Sequence, residues 1–408
     1  MRVNIVKARK ILDSRGNFTI EVEVNGQKGS APSGASTGSA EATTFPKSVD
    51  TAVEFVNGVL AKELIGKSFD DFESLKILEG ILKSHDSTER WEKVGGSLVI
   101  ALEFAMLHAM AAHAGQPLYK FLSDRAGLPR PLGNCVGGGA HAGAHATDIQ
   151  EFLTLSLKAK LYSHALFANA HAHKEMKNLL QEKDHLFTGG KTDEGAWAPN
   201  LTNIEILDIL QKEAAHISKK VGFEMELGLD MASSELFDGK KYVYKKFSKQ
   251  TKKKALTRKQ QIDFVLKLIK KYKLVYVEDP LEENDFEGFA ELTKRAGNCL
   301  ICGDDLIATN PDRLQRAIAM KAVSAIIVKP NQIGSLVKTK QVIDIALENN
   351  IIPVMSHRSG ETCDDTIAHL AVAFSCPIIK CGDVGGERLA KLNELLRIEE
   401  TIEAELNK

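Results

Sequence analysis

The sequence predicts an α/β protein made of a C-terminal (β/α) barrel and a smaller N-terminal α+β domain. Its 408 residues are too many for one ordinary compact domain and few for three. From Pro131 onward, short apolar runs end again and again in a polar residue. These are Phe223 to Leu229 before Asp230, Leu274 to Val277 before Glu278, and Cys299 to Gly303 before Asp304, followed by Ala325 to Val328 before Lys329, Ile351 to Ser356 before His357, and Pro377 to Ile379 before Lys380. The later ones recur about every 25 residues, the length that a strand, a turn, a three-turn helix and a return loop require. Only the first interval, Asp230 to Glu278, is about twice as long. A closed barrel of this type takes about 250 residues, which residues 131–408 supply.

The elements follow in order. Apolar and polar residues alternate from Thr19 to Val24, and Asn25-Gly26 supplies a hairpin turn, so an antiparallel strand pair is expected. Ser48 to about Leu82 has helical periodicity, and Ser97 to Ala114 reads as a mostly buried apolar helix. Glu103, His108 and His113 interrupt that run, which argues against a membrane span. Gly127-Leu128-Pro129 marks a boundary, giving a domain over 1–128 and a barrel over 131–408. Within the barrel, Pro311 to Met320 and Gly334 to Glu348 carry the helical pattern.

Composition narrows the function. The 53 basic and 54 acidic residues nearly cancel, so wholesale binding of nucleic acid or of a polybasic-seeking membrane is not expected. Lys245 to Lys259 is locally basic, but without a binding motif it reads as a solvated loop leading into a barrel helix. A protein whose main task is binding RNA, a membrane or a partner through that face is the competing hypothesis. Met1-Arg2-Val3-Asn4 has no secretory apolar region, and six Cys make no disulfide framework, so a cytoplasmic setting is expected. Cys299 and Cys302, three apart on a strand, point to opposite faces and do not converge on a metal. His171 and His173 face different ways on a helix and, with His164, are expected to be ordinary surface or half-buried histidines.

Barrel chemistry sits at the C-terminal ends of the strands. Asp230, Glu278 and Asp304 would there converge on a hard cation, and oxygen ligation without Cys or His favours Mg²⁺. Lys329 and Lys380 lie beyond them. A lysine acts as a base only if its pKa is brought down from about 10.4, and a nearby cation and a second lysine push it that way. A lysine base beside a metal-held carboxylate suggests proton abstraction next to that carboxylate.

The motifs extend this reading. I-L-D-S-R-G-N at 11–17, A-P-S-G-A-S-T-G at 31–38, D-I-Q-E-F at 148–152, D-E-G at 193–195 and L-D-M-A-S-S-E at 229–235 stand in order. E-D-P-L at 278–281, G-D-D-L-I-A-T-N-P at 303–311, K-P-N-Q-I-G-S at 329–335, S-H-R-S-G-E-T at 356–362 and E-R-L-A-K-L-N-E-L-L-R-I-E-E at 387–400 follow. With these, nearly the whole chain resembles the enolase (phosphopyruvate hydratase) family. A lysine or histidine base working with Mg²⁺ is that superfamily's general pattern.

The resemblance implies conversion of 2-phospho-D-glycerate to phosphoenolpyruvate in glycolysis and gluconeogenesis, with two Mg²⁺ per active site. It makes Asp230, Glu278 and Asp304 ligands of the first Mg²⁺, and gives Ser36, on a loop freed by Gly34 and Gly38, a place at the second. Lys329 is then the base, Lys380 binds the substrate carboxylate, and Glu194 with Glu151 forms the acid for the leaving hydroxyl. Such an acid must be protonated near neutral pH, which needs a raised pKa. His141, His357, Arg358 and Ser359 border the phosphate, which a non-phosphorylated acid of another superfamily branch would not need. The family is commonly dimeric, and Arg9 and Glu400 are candidate contributors. Departures from the family pattern are Phe18 in place of Pro, Ser39-Ala40, Gly137-Gly138-Gly139, and 382–387, which lacks an Arg usual before Glu387-Arg388.

Overall fold

The structure is a computed structural model that describes residues 1–34, 38, 40–124, 127–143 and 146–406. Its N-terminal part opens with an antiparallel meander of β1 (Val6–Leu12), β2 (Phe18–Val24) and β3 (Gln27–Ser30). Asn25 and Gly26 both have positive φ, 50° and 87°, as a tight two-residue hairpin demands. The expected strand pair is therefore a three-stranded sheet. The helix Gly96–Ala114 lies against it and is apolar all round because it is enclosed. Gly29 makes that contact possible, since a Cβ there would sit 2.4 Å from the Ala105 amide nitrogen. By length and composition alone this helix could cross a bilayer, yet 78% of its apolar window is buried within the protein. Glu103, the charge that interrupts it, accepts the Leu336 N–H at 2.8 Å and so ties the small domain to a barrel helix.

The barrel contains β4 (Arg130–Gly137), β5 (Glu151–Leu155), β6 (Glu226–Asp230), β9 (Tyr276–Glu278), β10 (Leu300–Gly303), β11 (Ala325–Val328), β12 (Ile352–Ser356) and β13 (Ile378–Gly382). A hairpin of β7 (Tyr242–Tyr244) and β8 (Lys254–Leu256) fills the long interval after Asp230 and carries the basic segment. The closed order is β4-β5-β6-β9-β10-β11-β12-β13. All six strands expected from the apolar runs are present.

The start of the barrel departs from simple βα repetition. β5 pairs antiparallel with both β4 and β6, so it alone runs against the other strands. Two helices, Tyr162–Lys183 and Asn203–Val221, then lead to β6. Leu132, Leu153, Leu155, Tyr276, Cys302, Ile327 and Val354 fill the barrel interior, while Cys299 joins the cluster between strands and helices. The two cysteines thus face opposite ways, as expected.

Small domain and barrel meet over the C-terminal rim. Ser33 bridges Gly360, and the Asn331 amide donates to the Pro32 carbonyl at 3.0 Å. The loop expected to close over substrate therefore starts from the rim itself.

Candidate active site

Strand register builds the acidic wall. Glu151 is opposite Asp230, and Asp230 is opposite Glu278, so three carboxylates form one row across β5, β6 and β9. Glu151 reaches this rim because β5 is reversed: its first residue lies where the other strands end. Lys380 projects from β13 into the row, with Nζ 2.8 Å from Asp230, 2.7 Å from Glu278 and 3.0 Å from Glu151. Burial works against its charge, but Asp230, Glu151 and Glu278 hold it well above the ordinary lysine value. Glu278, wholly buried beside Asp230, is pushed up to about 8, and it accepts the Tyr276 hydroxyl at 2.7 Å.

Asp304 follows β10 and is paired with Lys329. Burial opposes its ionisation, yet Lys329 holds it below the usual carboxylate range. Burial likewise lowers Lys329, but Asp304 raises it further, so its net shift is upward. That is the reverse of the direction a free lysine base requires. The reason is that Asp304 stands in direct contact with the ammonium.

Asp279 organises this corner. Its two oxygens accept the N–H groups of Asp304 and Asp305 at 2.9 and 2.8 Å. Among the described residues, Asp279, Asp304 and Asp305 are close enough to share an ion, as are His141, Glu151 and Glu194. Asp230, Glu278 and Asp304 are not gathered to that degree, because the two lysine ammonium groups stand among them. Their chemistry still suits a divalent metal: buried, all-oxygen and supplied by adjacent strands.

The opposite wall comes from loops. Residues 192–197 zip onto the end of β4, where Gly137 N–H donates to the Trp197 carbonyl at 2.9 Å and Trp197 N–H to the Cys135 carbonyl at 3.1 Å. Gly195 has φ +85°, and a Cβ there would meet the Val384 carbonyl at 2.4 Å, so this turn requires glycine. Glu194 is thereby buried, and its Oε2 accepts the Asn134 amide at 3.0 Å and faces His357 Nε2 at 3.5 Å. Burial raises both carboxyls of the Glu151–Glu194 pair. The hydrogen bond with His357 and the charge of His141 pull Glu194 well below its usual value, whereas the charge on Glu194 adds to the rise of Glu151. Within the pair Glu151 is raised and Glu194 lowered, so the expected upward shift of Glu194 is not found.

His141 stands early in the β4–β5 connection, at the end of the short turn Gly139–His141, with Nδ1 2.8 Å from Asp193 and Nε2 4.0 Å from Glu194. His357 is neutral: burial lowers it to about 4. Arg388, with no exposed surface, places Nη1 2.8 Å from His357 Nδ1 and donates to the carbonyls of Arg358, Ser359 and Asp193. A guanidinium cannot accept, so Nδ1 is the acceptor and the ring proton lies on Nε2, facing Glu194. Arg358 forms a two-pronged pair with Glu41 of the small domain at 2.9 and 3.2 Å. Ser359 is buried beside it on the same cleft. Ser36 lies outside the described residues.

Several contributors escape strand-end reasoning. Gln150 donates to Asp230 at 3.3 Å, and Gln332 to Asp304 at 3.0 Å. Both adjoin motif residues, and that adjacency was the available signal. Asn134 and Glu41 carry no such signal, because only the closed barrel brings them in, while Arg388 lies within the motif at 387–400. His173 also departs from its expectation. It is buried, stacks on Trp197 with centroids 4.8 Å apart, and its Nε2 lies 2.9 Å from the Gly195 carbonyl. His164 and His171 are exposed, as expected.

A closed α/β barrel with carboxylates and lysines at its strand ends and arginine-bearing loops above them defines an enzyme site for a small anionic substrate. Comparison with known proteins gives the particular family. The family model "Enolase, N-terminal domain" matches residues 3–122, and "Enolase, C-terminal TIM barrel domain" matches residues 125–407. The chain is 48% identical to "Enolase" of Methanothermobacter thermautotrophicus over 407 residues, covering 97% of this chain and 96% of the other. "Enolase" of Archaeoglobus fulgidus is 41% identical over 409 residues, covering 99% and 98%. The chain belongs to the enolase family.

Proposed function

We propose that the protein catalyses the reversible dehydration of 2-phospho-D-glycerate to phosphoenolpyruvate and water, with Mg²⁺, as a cytoplasmic enzyme of glycolysis and gluconeogenesis. One observation carries the reading. Lys329 follows β11 and Glu151 opens β5, and these strands stand diametrically opposite in the eight-strand order. A substrate between them can lose a proton to one side and a hydroxyl to the other.

In this reading Lys329 removes the C2 proton, and the Glu151–Glu194 pair delivers a proton to the departing C3 hydroxyl. Lys380 receives the substrate carboxylate, while Arg358, Ser359, His357 and His141 border the phosphate. Arg358 would exchange its pairing with Glu41 for phosphate oxygens, which suits a planar guanidinium. Asp230, Glu278 and Asp304 would hold the first Mg²⁺, and Ser36 would contribute to the second. When bound, Mg²⁺ supplies the positive charge that stabilises negative charge developing on the substrate carboxylate. A cation held by Asp304 would also offset the charge that keeps Lys329 protonated.

The same reading divides the chain into domains at 1–128 and 131–408 and makes the protein a homodimer. Ile5, Leu12 and Phe18 are exposed on the small-domain side and support such an interface. Arg9 is engaged by Glu21 and Glu23 of its own sheet, whereas Glu400 is exposed. The test is absorbance of the enol product formed from 2-phosphoglycerate. Activity should vanish with EDTA and return with Mg²⁺, and undiminished turnover in chelator would refute the metal assignment.

A further inference from the structure

A second cluster of ligating side chains lies away from the barrel mouth, where the small domain meets the outer helices of the barrel. Asp365 and His369 are one turn apart at the start of the helix Thr366–Ala373, and Glu394 comes from the C-terminal helix Gly386–Leu406. Ligand atoms of these three lie within 4.8 Å of one another. His108, on the small-domain helix Gly96–Ala114, forms a second such group with Asp364 and the same Asp365. The two imidazole centroids are 6.0 Å apart.

Ordinary structural roles leave part of this cluster unused. Asp364 is taken, accepting the Ser30 and Thr366 N–H groups at 2.8 and 2.9 Å, and so is His108, whose Nε2 lies 2.9 Å from the Thr366 hydroxyl. Asp365 occupies the N-cap position, yet its side chain caps nothing. His369 is only 7% exposed, its Nε2 faces Glu394 Oε1 at 3.4 Å, and its Nδ1 has no hydrogen-bond partner. The other Glu394 oxygen accepts from Arg397 at 2.9 Å, which fixes the carboxylate in that orientation.

We propose that Asp365, His369 and Glu394 form a metal site for a borderline divalent transition cation such as Zn²⁺, beside the face on which the small domain packs. One imidazole and two carboxylates, with a fourth position left for water, are a donor set that zinc accepts, unlike the all-oxygen set that suits Mg²⁺. The site is distinct from the barrel mouth and includes none of the residues given roles there.

The full-length protein, with excess Mg²⁺ present, is titrated with Co²⁺ as a spectroscopic probe of a four-coordinate site and then with Zn²⁺. One Co²⁺ per chain, showing tetrahedral d–d absorption that Zn²⁺ displaces, is expected. His369→Gln and Asp365→Asn should each weaken binding by at least about tenfold. Zn²⁺ should also raise the melting temperature of the wild type more than that of either variant, and Mg²⁺-supported dehydration should be unchanged in both. Asp365→Asn removes a half-buried carboxylate that makes no capping bond, so it keeps the test open should His369→Gln fail to fold. Absence of tetrahedral bands in the wild type, or bands that persist in Asp365→Asn, would overturn the proposal.

Discussion

The two halves of the barrel contribute to the site in different ways. From β9 to β13 the chain repeats one unit, strand then helix, and each strand delivers a polar residue at its C-terminal end: Glu278, Asp304, Lys329, His357 and Lys380. The half that begins with β4 and β5 does not repeat. Its site residues come from a β4–β5 loop, the first position of a reversed strand and a connection between two helices: His141, Glu151 and Glu194. The regular half supplies the lysines and two of the three carboxylates proposed for the first metal, and the irregular half supplies the proposed acid pair and His141. Chemistry that needs a proton donor facing a base across the barrel therefore requires the repetition to be broken.

The sharpest way to break this comparison is to remove the base from the regular half. Lys329→Ala should lower turnover by about 10⁴-fold and abolish exchange of the C2 proton with deuterium. Exchange at the wild-type rate, followed by NMR of 2-phosphoglycerate in D₂O, would transfer the base role to another group. Removing the acid from the irregular half should separate the two steps. Glu151→Gln and Glu194→Gln should each reduce dehydration by roughly 10²- to 10³-fold while C2 exchange continues. Loss of exchange in both variants would mean that the halves do not have separate tasks.

The next effect concerns the histidine that joins the halves. His357 falls from about 6.5 when unfolded to about 4 when folded. The unfolded chain therefore binds the extra proton first as pH drops. Stability from the neutral ring is present above pH 6.5 and is lost as pH falls towards 4, by about 3 kcal/mol in total. Urea midpoints measured across that window should decline, and His357→Asn should flatten the decline. An unchanged slope in the variant would show that other groups govern acid sensitivity.

A smaller change is expected from His173→Ala, which loses the contact with Gly195 and the stack on Trp197. It should lower stability by about 1–2 kcal/mol in urea unfolding. Dehydration should fall about tenfold, because Glu194 adjoins the loosened turn. Full activity would mean that the turn is held by its backbone bonds alone. The smallest effect belongs to the basic hairpin. Replacing Lys252, Lys253 and Lys254 by Glu should leave dehydration within about twofold of wild type, with no salt-sensitive RNA binding to lose. Tight RNA binding that falls with salt and disappears in the variant would favour the competing hypothesis.

The sequence by itself determined the regular half. A buried strand is an apolar run, its end is the first charge after it, and both are local properties of the chain. Hence Asp230, Glu278, Asp304, Lys329, His357 and Lys380 could be found by spacing, as could the Asn25-Gly26 turn and the enclosed helix after Ser97. Glu151, Glu194, His141, Arg358, Ser359 and Ser36 were reached only through motif resemblance. Tertiary structure decided the rest. A charge at the start of a strand is indistinguishable from one on a solvated loop until the strand is known to run backwards. Asn134, Glu41, Arg388 and His173 join the site from distant segments, with no periodicity to announce them. The pKa shifts are also products of folding: the lowered His357, the raised Glu151 and the raised Lys329 each depend on burial and on charges from other strands. Local pattern specifies which groups exist and where strands end, but only the closed barrel sets the distances between them, and electrostatic interactions follow those distances.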